Sequence, residues 1–410
     1  MSYRFGYLVL TFATITGCEQ LGERVSTSSL SPESVLASCQ KALDAKDTKT
    51  ADKDCPFAEQ WLERTQPDSK LHAESLEKLA DVLVPVNTLA AANNYQQALT
   101  LREKLADKSV SLEGLQLKLA NSLTGLGKWA EAEKILHKIK PAKGMESLEG
   151  ADILNRLGVA QLQQQLLTNA EQSLRQALTI REANLDASDS ALGETYSNMG
   201  FLYQSTGKNQ DAVSYYRKAV LNLESAKVIP YPALYNSLSN LATLLQNGGK
   251  SQDAETYWNK LLTVSEKGFG KESVQYATGL NSLGMLALSV RNYAAAEKLF
   301  NDSVAIREKI LGVNHIQTAE SANNLAVALA NQGKRDQALP LMRHAAAVTN
   351  VALGASNPLT QQRWNSLLQL EGSVSNKRAA VAKEQVPAQA QAQAQAQVQE
   401  IPDSGKKRKR

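Results

Sequence analysis

The sequence predicts an all-α protein, a solenoid of about seven helical hairpins, and three observations support this fold class. Small and large apolar residues recur in register every 42 residues, which is typical of a repeat array. Within each repeat the apolar residues recur at helical spacing on two segments separated by a turn. The chain of 410 residues is 43% hydrophobic but only 5% aromatic, a balance that favours helices packed through small side chains.

Four columns of residues define the repeat. The first is a column of alanines: Ala170, Ala212, Ala254, Ala296 and Ala338. Twelve residues before each alanine lies a small residue: Gly158, Gly200, Ala242, Gly284 and Ala326. Each small residue directly follows a large apolar one: Leu157, Met199, Leu241, Leu283 and Leu325. Four residues after each alanine lies another large side chain: Leu174, Tyr216, Trp258, Phe300 and Met342. Two weaker copies contain Ala91 with Tyr95 and Ala132 with Leu136, so the seven hairpins occupy a predicted domain at 71–372 that ends in a capping helix.

Stacking of neighbouring hairpins follows from this pattern. Isolated helices of this length are only marginally stable in water, so each hairpin must bury its apolar face against the next. The small residues mark positions where two helix backbones cross closely, and the large residues fill the space beside each crossing.

The columns resemble the tetratricopeptide repeat. The 42-residue period and the segments ALTLREKL (98–105), ALTIREANL (177–185) and VAIREKILGVNH (304–315) resemble its kinesin light chain variety over roughly 75–360. The resemblance implies a right-handed superhelix whose inner, concave surface is lined by the first helix of each hairpin. It also implies a non-catalytic scaffold that binds an extended or helical segment of a partner protein in that groove.

Placing the small-residue column at its family position identifies candidate groove residues. Three residues before it lie Asn155, Ser197, Ser239, Asn281 and Asn323. Five residues after it lie Gln163, Ser205, Asn247, Ser289 and Asn331. Between them, apolar contact is expected from Val159, Phe201, Met285 and Val327. Amides and hydroxyls both donate to and accept from a peptide main chain, although the same residues also serve to cap turns or face water.

The start of the chain predicts export. Residues 1–17 combine a basic residue, an apolar run too short to span a bilayer, and small residues, which is the order of a secretory signal. Its end, ITGC, resembles the bacterial lipobox, which implies lipidation of Cys18 and a polar tether at 18–30. The implied location is the bacterial cell envelope, lipid-anchored and facing the periplasm, with the outer membrane preferred because Glu19 rather than aspartate follows Cys18. An ordinary signal peptide, or a short buried helix with a chance cysteine, remains as the alternative.

Two more cysteines lie in a predicted N-terminal helical cap at 31–70. An exported protein meets an oxidising environment, which favours a disulfide between Cys39 and Cys55 over two buried free thiols. The chain-entropy model assigns about 3 kcal/mol to closing a loop of about 15 residues. The second helix of this cap is expected to run from Pro56 to about Arg64.

The end of the chain, 373–410, reads as a disordered Ala/Gln-rich arm with a basic tip. The tip is Lys406, Lys407, Arg408, Lys409 and Arg410. The chain carries a net charge of +4, and removing these five charges leaves −1, which excludes a basic surface of the nucleic-acid-binding type for the folded body. An alternative function is therefore binding of an anionic envelope polymer, or of nucleic acid, by the basic tip, with the repeats as a spacer. A tail that only increases solubility is equally consistent with this composition.

No pattern of catalytic chemistry is evident in the sequence. The four histidines fall in different repeats, and His315 is expected to cap a helix. Neither Cys39 nor Cys55 has a nearby histidine, and there is no glycine-rich phosphate loop after a strand. The sequence therefore predicts no enzyme activity, no cofactor, no metal and no small-molecule substrate.

Overall fold

The computed structural model describes residues 32–45, 47–85, 87–106 and 111–372, and every regular element within them is a helix. Cys18, the predicted segments 1–17, 18–30 and 373–410, and the basic tip lie outside these residues. The chain divides into two compact units, with the boundary between Ile139 and Lys140, inside the region 71–372 that the sequence treats as one array.

The first unit contains three successive pairs of helices that pack on one another. They are α1 (Pro32–Asp44), α2 (Thr48–Thr65), α3 (Lys70–Leu83), α4 (Thr88–Lys104), α5 (Leu112–Gly125) and α6 (Trp129–Lys138).

The second unit contains five helical hairpins and a final helix. They are α7 (Leu148–Gln163), α8 (Leu167–Asn184), α9 (Ser190–Ser205), α10 (Asn209–Ser225), α11 (Tyr231–Asn247), α12 (Ser251–Phe269), α13 (Val274–Ser289), α14 (Tyr293–Leu311), α15 (Ile316–Asn331), α16 (Arg335–Leu353) and α17 (Pro358–Glu371). Each helix packs on the next along the chain. This arrangement confirms the predicted all-α solenoid of stacked hairpins.

The repeat columns form the core of the second unit. Its five alanines, from Ala170 to Ala338, are all fully buried. At the crossings the glycines leave no room for a side chain, because a Cβ on Gly284 would lie 2.6 Å from Cε1 of Phe300. One on Gly200 would lie 2.8 Å from Cδ1 of Tyr216. Small and large columns therefore fit each other within a hairpin.

The turn inside each hairpin of the second unit uses a left-handed residue. Gly207, Gly249 and Gly333 have φ angles of 75°, 74° and 78°. The same turn position in two other hairpins holds Gln165 and Arg291, with φ angles of 62° and 61°. A residue with a Cβ is strained in this conformation by roughly 1–2 kcal/mol, because the Cβ approaches its own carbonyl oxygen.

Replacing Gln165 or Arg291 with glycine is therefore expected to stabilise the second unit. Part of the relieved strain is offset by the greater flexibility of glycine in the unfolded chain, leaving a gain of about 0.5–1 kcal/mol per site. The gain in the free energy of unfolding is measured by urea unfolding, with hydrogen exchange of the flanking helices as the local readout. Val290→Gly is the matched control, because Val290 has a φ of −92° and should lose stability on the same change. An equal effect of Val290→Gly and Arg291→Gly would contradict the explanation.

The predicted cysteine pair joins α1 to α2. Cys39 and Cys55 form a disulfide with a Cα to Cα distance of 4.8 Å, and both residues are buried. The second helix is longer than the sequence indicated, because it begins at Thr48 rather than at Pro56 and carries the proline inside it. Asp47 caps its start by accepting a hydrogen bond from the backbone N–H of Thr50.

Glu59 on α2 makes the stability of the first unit depend on pH. Its Oε1 atom is buried and lacks a hydrogen-bond partner among the described residues. Burial raises the pKa of Glu59 from 4.5 to about 7, and the neighbouring Glu63 carboxylate adds to this shift. The folded chain then holds a proton that the unfolded chain has released, so this contribution is complete below pH 4.5 and is lost as the pH rises to about 7.

Glu59→Gln should remove this dependence. Between pH 5 and pH 8 the free energy of unfolding of the first unit should fall by about 1–2 kcal/mol more in the wild type than in Glu59→Gln, allowing for the partial exposure of the carboxyl. Urea titrations at both pH values, with hydrogen exchange of α2 as the readout, measure the difference. Glu63→Gln, which changes an exposed residue, should retain most of the slope; equal slopes in the wild type and Glu59→Gln would contradict the assignment.

Candidate functional site

The first helices of the five hairpins in the second unit, α7, α9, α11, α13 and α15, form what we term the first-helix face. Side-chain hydrogen bonds join α7 to α9, α9 to α11 and α13 to α15, so these first helices lie side by side. Together they contain only five charged residues: Glu149, Asp152, Arg156, Glu194 and Glu320. The second helices of the same hairpins, α8, α10, α12, α14 and α16, contain 22. Charge is thus concentrated on one set of helices and nearly absent from the other.

An apolar position recurs on the first-helix face. Phe201 on α9 is 37% exposed and Met285 on α13 is 44% exposed. Val159 and Val327 occupy the same repeat position on α7 and α15 and are half-buried. Phe201 and Met285 are therefore open to solvent, while Val159 and Val327 are only partly so, and contact of these side chains with a partner stays a prediction.

Two of the predicted groove residues have a different role. Asn155 and Asn281 are buried, with 7% and 4% of their surface exposed. Asn198 Nδ2 donates to Asn155 Oδ1 at 3.1 Å across the α7–α9 contact. Ser321 Oγ and Asn324 Nδ2 each donate to Asn281 Oδ1 at 3.1 Å. The prediction that Asn155 and Asn281 line the open groove is thereby corrected, because their acceptors are used to join neighbouring first helices.

The remaining polar positions are divided between packing and exposure. Ser197 is half-buried and accepts a hydrogen bond from Ser237 Oγ at 3.0 Å. Ser239 and Asn323 are also half-buried, and Asn323 Oδ1 is buried without a partner among the described residues. The later column is exposed at Gln163, Ser205, Asn247, Ser289 and Asn331. Asn331 Nδ2 donates to Val327 O of its own helix at 2.8 Å, so its carbonyl remains open to a ligand.

Buried arginines connect successive hairpins, and the sequence did not predict them. Arg307 on α14 is 2% exposed and donates to Gln317 O at 2.7 Å and to Ser321 Oγ at 2.9 Å, both on α15. It also donates to Thr278 Oγ1 on α13 at 3.0 Å, so one guanidinium bridges two first helices.

Arg181 makes the equivalent connection from α8. Its Nη1 donates to Ala191 O at 2.8 Å and to Thr195 Oγ1 at 2.6 Å on α9, and its Nη2 to Asp152 on α7 at 3.2 Å. The sequence did contain a sign of these contacts, because the segments REA (181–183) and REK (307–309) each place an arginine on the apolar face of a helix. A charged residue that is buried at such a position needs hydrogen-bond or ion-pair partners.

At the end of the unit the arginine is on the opposite helix. Arg363 on α17 donates to Thr349 Oγ1 and to Ala345 O on α16. Thr349 lies 42 residues after Arg307, and Arg363 lies 42 residues after Ser321. The contact between Arg307 on α14 and Ser321 on α15 therefore recurs one repeat later, but here the arginine is on the second of the two helices, α17, and the hydroxyl is on the first, α16.

The described residues contain neither a metal-binding cluster nor a helix able to span a membrane. No cluster of three or more His, Cys, Asp or Glu that could hold a metal ion occurs among them. None of their helices is both long and apolar enough to cross a membrane. His315 caps α15, since its Nδ1 accepts from the backbone N–H of Gln317 at 3.2 Å, and burial lowers its pKa.

Comparison with known proteins agrees with the hairpin geometry. Residues 151–224, 234–309 and 280–350 match the profile of the tetratricopeptide repeat family. No curated protein matches the chain in sequence.

Among solved structures, a signal transduction ATPase (STAND) with a tetratricopeptide repeat sensor from Pyrococcus horikoshii aligns with 90% of this chain and 54% of its own, with 13% identity and a TM-score of 0.57. BtubC (BKLC) from P. vanneervenii aligns with 60% of this chain and 96% of its own, with 21% identity and a TM-score of 0.46. A tetratricopeptide repeat protein from Parabacteroides merdae aligns with 73% and 98%, with 17% identity and a TM-score of 0.49. At these identities the likeness concerns the fold alone.

Proposed function

We propose that this chain, which carries tetratricopeptide repeats, is a non-catalytic scaffold that binds an extended or helical segment of a partner protein along the first-helix face. The observation that supports this most strongly is the segregation of charge, with five charged residues on the first helices against 22 on the second. Protein-binding surfaces are depleted in charge at their centre, where burying an unpaired ion is costly. Exposed Phe201 and Met285 supply apolar contact, and the exposed amides and hydroxyls match a peptide main chain.

The proposal includes an anchor in the bacterial cell-envelope membrane, with the first-helix face presented to the periplasm. It is supported by the lipobox-like ITGC that ends at Cys18. Two or three acyl chains bind a bilayer durably, because each buried CH₂ contributes about 0.8 kcal/mol. Mass spectrometry of the protein purified from bacterial membranes should show Cys18 as the acylated N-terminus. Cys18→Ser should appear in the soluble fraction, and retention of Cys18→Ser in the membrane would contradict the anchor.

The first-helix face is tested with peptides rather than with an unknown partner. A random library of 12-residue peptides is selected against the full-length chain, and the affinities of the selected peptides are measured by calorimetry. Phe201→Asp combined with Met285→Asp should weaken these peptides at least tenfold. The physical reason is that an apolar side chain of the peptide would then be buried against a carboxylate.

Leu221→Asp is the matched control. Leu221 is 67% exposed and lies on the second helix α10, so the same chemical change there should leave peptide affinity unaltered. Removing 401–410 should also leave it unaltered, which separates the groove from the basic tip. Loss of binding only on removal of 401–410 would favour the tip as the binding element, and unchanged binding by the double variant would contradict the proposed face.

A further inference from the structure

The carboxylates of the first-helix face differ in how they are neutralised. Asp152 lies 2.8 Å from Arg156 Nε and 3.2 Å from Arg181 Nη2. Glu320 lies 3.5 Å from Arg307 Nη1, and Glu149 lies 3.6 Å from Lys143 Nζ. No lysine or arginine of the described residues lies within ion-pair distance of Glu194.

The repeat positions around Glu194 show where an ion-pair partner would have to come from. Asp152 and Glu320, which occupy the same repeat position, are each reached by a bridging arginine. For Glu194 one such arginine would come from position 223, 42 residues after Arg181, but that position holds buried Leu223. The other would be Arg181, whose Nη1 makes the same two contacts to α9 that Arg307 Nη1 makes to α15, but whose ion pair is with Asp152 through Nη2.

Glu194 nevertheless remains accessible. Glu194 is an exposed residue on α9. Desolvation by the surrounding protein atoms nevertheless raises the pKa of its carboxyl group, so the carboxylate is partly surrounded by protein but still open to solvent. It lies seven residues before Phe201 on the same helix, close to two full turns, so both side chains project from similar sides of α9. The rise of the helix separates them by about 10 Å along its axis.

The carboxylate of Glu194 is the one on this face that favours a cation. The other three carboxylates are paired with Lys143, Arg156, Arg181 and Arg307, and the neighbouring first helix α11 carries no charged residue. We infer that Glu194 receives a lysine or arginine side chain of the bound segment, while an apolar side chain of that segment lies against Phe201. This inference rests on the proposed function and specifies the chemistry of the ligand. An extended peptide covers about 10 Å in three residues, so the cation and the apolar residue should be about three positions apart.

The peptide selection tests this directly. Lysine or arginine should be enriched about three positions from an apolar residue in the selected sequences. For such a peptide, Glu194→Gln should lower affinity about tenfold, as expected for loss of a charge-assisted hydrogen bond. A peptide with its lysine replaced by glutamine should bind the wild type about tenfold more weakly and should bind Glu194→Gln no worse than the lysine peptide does. This non-additivity is the signature of a direct pair.

Glu255→Gln, the same change at an exposed position on the second helix α12, should leave all affinities unaltered. The inference fails, with the groove intact, if Phe201→Asp with Met285→Asp abolishes binding while Glu194→Gln does not affect it. It also fails if the effects of Glu194→Gln and of the lysine replacement simply add. If no peptide depends on Phe201 and Met285, the proposed function and this inference fail together.

Discussion

Arg307→Ala is expected to destabilise the hairpins α13–α16 by about 3 kcal/mol. The guanidinium makes four hydrogen bonds, to Gln317 O, Ser321 Oγ, Thr278 Oγ1 and, at 3.5 Å, Glu320 Oε2, and they connect α14 to α13 and α15. Alanine removes the donor, so Gln317 O, Ser321 Oγ and Thr278 Oγ1 each lose a charge-assisted hydrogen bond in a buried or half-buried position. A cavity at a site that is 2% exposed adds to the loss.

Local measurement is needed because repeat arrays do not always unfold as one unit. Hydrogen exchange of α13–α16 should show lost protection in Arg307→Ala, while α7 and α8 change less. Arg343→Ala is the matched control: its side chain is 61% exposed in its ion pair with Glu371, and such pairs contribute less than about 1 kcal/mol.

The exchanged contact at the end of the unit provides a second check. Arg363→Ser should destabilise α16 and α17, and adding Thr349→Arg should restore much of the loss by recreating the arrangement of Arg307 and Ser321. If Arg307→Ala behaves like Arg343→Ala, the inter-hairpin role of the buried arginines is contradicted.

Gly284→Val is expected to have a similarly large effect, about 3 kcal/mol of destabilisation, through overpacking. A Cβ at this position would lie 2.6 Å from Cε1 and 2.8 Å from Cδ1 of Phe300, which is fully buried. The ring has no free space to move into, because protein interiors are close-packed. The α13–α14 hairpin must therefore open or shift.

Gly114→Val is the matched control, since it makes the same change inside a helix where nothing lies within 4 Å of the added Cβ. Valine has a better helix propensity than glycine, so Gly114→Val should be neutral or slightly stabilising. Hydrogen exchange of each hairpin distinguishes the two variants. Comparable losses in both would show that helix propensity or β-branching, rather than contact with Phe300, determines the effect at Gly284.

Much of the hairpin array could be predicted because small and large side chains occupy fixed positions in every repeat. The pairing of Gly284 with Phe300 and of Gly200 with Tyr216 follows from a period of 42 residues and a fixed offset, and both are local to one hairpin. The exposure of Phe201 and Met285 followed from the same register. The burial of Asn155 and Asn281 could not be read in this way, because it depends on the distance between first helices of different hairpins.

The sequence by itself determined the helices, the hairpins and the positions where they cross, since helical periodicity and side-chain volume act over a few turns of chain. Only the tertiary structure decided which polar side chains bind other hairpins and which stay available to a ligand. Hydrogen bonds such as those of Arg307 or Asn281 join residues up to 43 positions apart. Whether an asparagine or a glutamate keeps a free acceptor is therefore set by its neighbours in space, as the contrast between Asp152 and Glu194 shows.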